Sequence, residues 1–248
     1  MSAHAQVEVP RASLSLEVYH QLRQEILFGP LTVGTPLSRR KLAESYKVSV
    51  IPVMEALQRL ESEGLIESRP RVGTRVRVPS AQDIRDQFVL REALEVQGAR
   101  IFSERSTREE QAELLALAKR LDDLDTDIEQ IAEADRRPLL MTQHRLHIRL
   151  HMRVIESSQC PPLIHAFEMN QALVFKWLLD LFPWLTRPQK GHHKLMKTIG
   201  AGDPDAAEQA IRGHLRAGKA RLLSAIEGYY VHDPAVGPGL HGAFDALR

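Results

Sequence analysis

The stretch that most constrains this chain runs from Ser38 to Val78, where two short helices follow one another with almost no chain between them and lead directly into a hairpin. Ser38 can cap a helix that ends near Tyr46, and Ser49 can cap the next, with Pro52 in its first turn, where a missing N–H is tolerated. The second helix places Val53, Leu57 and Leu60 on one face and stops at Gly64. Leu65-Ile66-Glu67-Ser68 and Arg75-Val76-Arg77-Val78, with a turn at Gly73, then read as two short paired strands. Upstream, Leu14, Val18, Leu22, Ile26 and Leu27 recur at helical spacing until Gly29-Pro30, and a loop with Gly34 and Pro36 follows. A helix, a helix-turn-helix and a basic two-stranded wing make a winged helix.

Pro79-Ser80 marks a boundary, because beyond it no strand pattern occurs. Helical periodicity places helices near Gln82–Glu104, Arg108–Leu121, Ile128–Ser157 with a break before Pro138, Leu163–Leu181, Gln189–Ala201 and Pro204–Glu227. The expected fold is mainly α: a winged helix-turn-helix domain over residues 1–79, an all-α bundle over 80–227, and a loose tail over 228–248 that holds Pro234, Gly237, Pro238, Gly239 and Gly242. Trp177, Trp184 and Phe175 are expected in the core or an interface. The longest apolar stretch, Trp177 to Leu185, is broken by Asp180 and Pro183, and residues 1–10 lack a charged start followed by an apolar run. With one cysteine, Cys160, there is no internal disulfide and no thiolate metal site. These features predict a cytoplasmic protein with no membrane span.

A net charge of +1 conceals an asymmetry. Residues 1–79 hold 11 Lys+Arg against 8 Asp+Glu, whereas residues 80–248 hold 22 against 24. The basic residues cluster as Arg39-Arg40-Lys41 and as Arg69, Arg71, Arg75 and Arg77, which strengthens the local field and suggests contact with nucleic-acid phosphates.

The segment from Leu42 to Ile66, LAESYKVSVIPVMEALQRLESEGLI, closely resembles the DNA-binding domain of GntR-family bacterial regulators, and the helical remainder resembles the FCD effector domain of the FadR/VanR branch. The resemblance covers residues 12 to 227 and implies a homodimer on a palindromic double-stranded operator, with a small organic acid in the helical domain changing DNA affinity. It points to Arg40, Ser49, Val50, Met54, Arg71, Gly73 and Arg75 as DNA-contacting positions. Family members usually carry arginine where this chain has Val50 and Met54, so two potential bidentate guanine contacts are missing. Because Val53, Leu57 and Leu60 take the core stripe, Val50 and Met54 face outward, and a less guanine-centred operator is expected.

In the helical domain, a 100° rotation per residue brings His144, His147 and His151 within about 60° of one another, beside Ile148, Val154 and Ile155. Arg145, Arg149 and Arg153 form the opposite stripe. His192 shares a face with Leu195, Met196 and Ile199, and His214 with Ala207, Ala210 and Ile211. Inward imidazoles from three helices suit zinc or a similar divalent ion, with nickel or manganese as alternatives. The same spacing also suits buried histidines satisfied without metal. Metal-binding FCD domains are similar in carrying an Asp, a His four residues on, and two later ligands. The resemblance assigns His151, His192 and His214 to the histidine positions and His147 to the Asp position; an all-neutral ligand set would favour an anionic effector and disfavour hard ions. His144 and His193 are expected in supporting or surface roles. Arg91 lies on the face of Ile84, Phe88 and Leu94; it either pairs with Glu95 at i,i+4 or, as the family's Arg-x-x-Leu-Glu context implies, clamps the effector carboxylate.

Three readings follow: an acid-responsive DNA-binding regulator, expected to be a repressor; a metal-dependent, hydrolase-like enzyme with an accessory winged helix; and a sensor of the metal itself. Against the enzyme, there is no His-Glu-x-x-His, no Gly-x-Ser-x-Gly, no phosphate loop and no evident general base paired with the histidines.

Overall fold

The computed structural model describes residues 11–132, 135–181 and 190–232, and the chain divides into two compact units between Val78 and Pro79. The first unit is α1 (Arg11–Phe28), β1 (Pro36–Leu37), α2 (Arg39–Tyr46), α3 (Val50–Ser62), β2 (Ile66–Arg69) and β3 (Gly73–Val76). Ser38 caps α2 by accepting from the Lys41 N–H at 3.4 Å, and Lys47 closes it in the left-handed region at φ 55°. Ser49 occupies the N-cap of α3 but makes no side-chain cap hydrogen bond. Val53, Leu57 and Leu60 are buried, as the core stripe requires, and α3 packs on α1, whose Val18, Leu22 and Ile26 are buried too. The antiparallel sheet has order β1-β3-β2, with Glu67 opposite Arg75 and Leu37 opposite Thr74. The third strand corrects the loop expected around Pro36. Two residues are too few to show alternation, and their partner lies far along the sequence.

Among its described residues the second unit is wholly helical: α4 (Ala81–Arg105), α5 (Arg108–Gln130), α6 (Arg136–Glu156), α7 (Pro161–Asp180), α8 (His192–Ile199) and α9 (Pro204–His232). Reciprocal capping boxes, Ser80 with Asp83 and Thr107 with Glu110, start α4 and α5. Pro161 and Pro162 open α7. Helix α5 continues past its expected end at Leu121 to Gln130, because Leu121, Asp125 and Ile128 extend one buried stripe. The break expected before Pro138 is present, since α5 ends at Gln130 and α6 starts at Arg136 with Pro138 in its first turn, but Ile128, expected to open that helix, belongs to α5. Helix α9 runs to His232, past the expected start of the tail; residues 233–248 and Trp184 lie outside the described residues, as does the side chain of Phe175. Trp177 is buried.

The core of this unit joins Val96, Ala99 and Phe102 of α4 to Leu114, Ala118 and Leu121 of α5, Leu150 and Val154 of α6, and residues of α8 and α9. Gly98 lets α4 approach α6, since a methyl there would overlap Cδ1 of Ile155. That close approach sets Glu95, one turn earlier, against His151.

Candidate metal centre and DNA-reading surface

Three helices supply four imidazoles. His147 and His151 stand one turn apart on α6, His192 opens α8 and His214 lies midway along α9. The Nε2 atoms of His147 and His151 are 3.1 Å apart, and those of His151 and His214 are 3.2 Å apart. The His192 ring centre is 5.1 Å from that of His147 and 5.2 Å from that of His214. The four residues assigned to the metal are thus brought together.

The far sides of two rings are held by carboxylates. His151 Nδ1 bonds Glu95 Oε2, and Glu95 Oε1 accepts from Nε of Arg91, giving a buried Arg91–Glu95–His151 chain. His192 Nδ1 donates to Asp122 Oδ1 at 3.0 Å. Asp122 also accepts the backbone N–H groups of Gly191, His192 and His193 at 3.1, 2.9 and 3.0 Å, so a side chain from α5 caps the start of α8. Gly191, at φ 94°, makes the turn that aims those groups at it. A proton on Nδ1, as each of these hydrogen bonds requires, leaves Nε2 of His151 and His192 as a lone pair. His192 Nε2 is buried with no hydrogen-bond partner among the described residues. His147 and His214 both face the single lone pair of His151. His147, His151 and His214 bring their ligand nitrogens within 4.8 Å of one another, and His192 groups by the same distance with Asp122 and Asp125. The donor set therefore fits a borderline divalent ion such as zinc.

The electrostatics agree. Burial first, and then the neighbouring imidazoles and Arg91, hold His147 and His214 well below the ordinary histidine range. Burial also lowers His151 against the opposing pull of Glu95. All three are neutral near pH 7, as metal ligation demands. Burial alone would raise Glu95 and Asp122, but Arg91 and His151 outweigh it for Glu95, and His192 with the backbone donors outweighs it for Asp122, so both stay ionised. Asp125, fully buried 3.9 Å from His192 Nδ1, is pushed up to about 6 by burial despite His192 and Gln143.

These carboxylates correct the expectation that no base pairs with the histidines. Glu95 entered the sequence reading only as a partner for Arg91, and that pair does form. Asp122 and Asp125 were missed, although the spacing of Leu121, Asp125 and Ile128 marks Asp125 as inward. His144 is buried with Nδ1 2.5 Å from Gln143 Oε1, and His193 is exposed. Arg149 is exposed, whereas Arg153 is held by Glu113 and Glu156.

In the first unit, Arg40, Ser49, Val50, Met54, Arg71 and Gly73 are exposed. Arg71, at φ 64°, and Gly73, at φ 112°, form the hairpin tip. Arg75 differs from the expected free wing cation: it is half-buried, and its Nε bonds Glu67 across the strands.

A winged-helix unit in one chain with a helical unit that carries a cluster of four imidazoles is the architecture of a DNA-binding regulator with an effector domain. Residues 14–76 match the family described as bacterial regulatory proteins, gntR family, and residues 86–217, more than half of the chain, match the FCD domain; the chain belongs to the GntR transcriptional regulators that carry an FCD domain. It is similar to a Paenarthrobacter nicotinovorans protein described as "Probable D-xylose utilization operon transcriptional repressor", 26% identical over 208 residues that cover 84% of this chain and 88% of that one. It is also similar to the HTH-type transcriptional repressor RspR of Escherichia coli K12, 25% identical over 210 residues with coverages of 84% and 88%. Among solved structures, a Rhodococcus sp. RHA1 protein described as "a putative transcriptional regulator GntR" aligns at a TM-score of 0.63 and 25% identity, covering 85% of this chain and 98% of that one. Escherichia coli McbR/YncC shares the fold at a TM-score of 0.61 and 23% identity, with coverages of 84% and 96%. As a family of regulators, these relatives displace the enzyme reading. Among the described residues no helix is long and apolar enough to cross a membrane.

Proposed function

We propose that this regulator is a cytoplasmic homodimeric repressor whose helical unit binds a divalent metal, zinc in preference to nickel or manganese, through His147, His151, His192 and His214. A small organic acid completes the coordination sphere, and its binding changes affinity for a palindromic operator. The observation that carries this reading is the convergence of four imidazoles whose outer nitrogens are fixed, in two cases, by Glu95 and Asp122. An all-neutral set of direct ligands leaves the ion's charge balanced only at one remove, through Asp122 and the Arg91-paired Glu95, which leaves room for an anion. Arg91, whose charge is already paired with Glu95, is the residue assigned to orient the effector carboxylate from that side. An acid that binds one arrangement of the dimer better than another shifts DNA affinity by linkage.

The DNA contacts are assigned to Arg40, Ser49, Val50, Met54, Arg71, Gly73 and Arg75, with Arg75 the weakest cation of the set because Glu67 already neutralises it. The relatives named as repressors support the sign of regulation. The test is selection of genomic fragments by purified, metal-analysed protein at a stated salt concentration, repeated after chelation and after adding candidate acids. A palindromic site whose occupancy responds to acid only in the metal-loaded protein supports the reading. A response to metal removal alone, without acid, makes the ion itself the signal.

A further inference from the structure

The DNA unit places its positive charge away from the N-terminal turns of the helix that would read bases. From Val48 to Gln58, across the first turns of α3, there is no lysine or arginine. The next cation, Arg59, is stacked with its guanidinium 4.4 Å from the centre of the Tyr19 ring. Exposed cations sit instead on flanking elements: Arg39, Arg40 and Lys41 in the first turn of α2, Lys47 in the turn, and Arg71 at the hairpin tip. Between them α3 presents Val50, Ile51 and Met54, which are 42%, 45% and 38% exposed and stand at positions i, i+1 and i+4 of its N-terminal turns. Pro52 and Val53, interleaved with them, are buried, so the three apolar side chains form one outward surface. Exposed aliphatic groups framed by cations suit a target that is itself framed by phosphates, and the apolar feature of a major groove is the C5-methyl of thymine.

We propose that Val50, Ile51 and Met54 form an apolar base-reading surface that recognises the C5-methyl groups of thymine, so that the operator half-site carries thymines where a cation-bearing recognition helix selects guanine. Bidentate guanine readout through O6 and N7, the commonest specific contact, uses a guanidinium or ammonium that this surface lacks. The flanking arginines fix register on the backbone and carry no sequence information. Exposed Glu55 and Gln58, the polar groups on the same side of α3, prefer the amino edges of cytosine and adenine, so they do not restore a guanine preference. The proposal rests on α3 being the base-reading helix of a DNA-binding domain.

The test uses the whole protein. Genomic selection first defines the operator; each thymine of a half-site is then replaced singly by deoxyuridine, which deletes one methyl and leaves base pairing intact. Affinity is expected to fall about three- to fivefold at each contacted position, the effect of burying one methyl-sized group. Replacing a contacted T·A pair by 5-methylcytosine·G should retain more affinity than replacing it by C·G. Val50→Ala and Met54→Ala should each abolish the deoxyuridine penalty at one position, and Met54→Arg should move selection there toward guanine. Because the deoxyuridine series leaves the protein unchanged, it stands even if a variant fails to fold. A selected operator indifferent to every deoxyuridine substitution overturns the apolar readout while leaving DNA binding intact; no enriched site at all overturns both.

Discussion

The two candidate sites treat their polar side chains in opposite ways. At the start of α2 in the DNA unit the charges are exposed and locally matched: Arg40 and Glu44 pair at 3.0 Å with side chains 88% and 64% exposed. Around the imidazoles of the helical unit the carboxylates are buried or half-buried and bonded across helices, with Glu95 joining α4 to α6 and Asp122 joining α5 to α8. The difference follows from the partner each unit awaits. A nucleic acid brings its own charge and water, and its surface can be met by side chains that stay solvated until contact. A small ligand or ion has few atoms, so its site must be oriented beforehand by surrounding hydrogen bonds. Surface pairs therefore contribute little to stability, and buried ones a great deal once a partner is removed.

The sharpest way to break this contrast is Glu95→Ala, which leaves Arg91 buried without its carboxylate and His151 without its anchor. Chemical denaturation should show a loss of about 3–5 kcal/mol, in the range for one-sided removal of a buried pair. A loss below that of an ordinary surface substitution would mean the chain Arg91–Glu95–His151 is not the brace described. Next in size, Asp122→Asn should weaken metal affinity about 10- to 100-fold by loosening the His192 ring, while Asp123→Asn, on the exposed side of the same helix, should leave it unchanged. Competition with a metallochromic chelator measures both.

Acid titration of the metal-free protein sharpens the comparison further. His147 and His214 have depressed values when folded, so the unfolded chain binds protons more readily and stability falls as pH drops below the ordinary histidine range near 6.5. Glu95 is likewise depressed, to about 2, so its contribution is complete above about 4.5 and is lost as pH falls toward 2. Asp125, raised to about 6, works in the opposite direction below that pH and softens the first stage. His147→Ala should flatten the upper stage and leave the lower one. If the pH profile of this variant matched that of the parent, His147 would not be buried neutral.

The smallest expected change in stability comes from the DNA unit. Arg40→Ala should shift stability by less than about 0.5 kcal/mol, yet weaken DNA binding across sequences and lower the slope of log affinity against log salt by about 1. An unchanged salt slope would remove Arg40 from the phosphate contacts.

Much of this molecule could be read locally. The caps at Ser38 and Ser80, the stop at Gly64, the buried stripe of Val53, Leu57 and Leu60, and the i,i+4 pair of His147 and His151 depend on residues within about a turn of each other, where backbone hydrogen bonding and helical period dictate structure. The inward faces of His192 and His214 were legible for the same reason. Packing between distant segments decided the rest. Glu95 lies 56 residues from His151, and Asp122 lies 70 from His192, so no period connects them. Pro36 and Leu37 become a strand only because β3 offers its edge, and Arg75 is drawn from the wing surface to Glu67 by strand register. The sequence by itself determined which residues could serve as ligands and which helix faces would turn inward. Only the tertiary structure decided which carboxylate holds which imidazole, because that choice depends on the close approach of helices, such as α4 against α6 at Gly98, and not on neighbours along the chain.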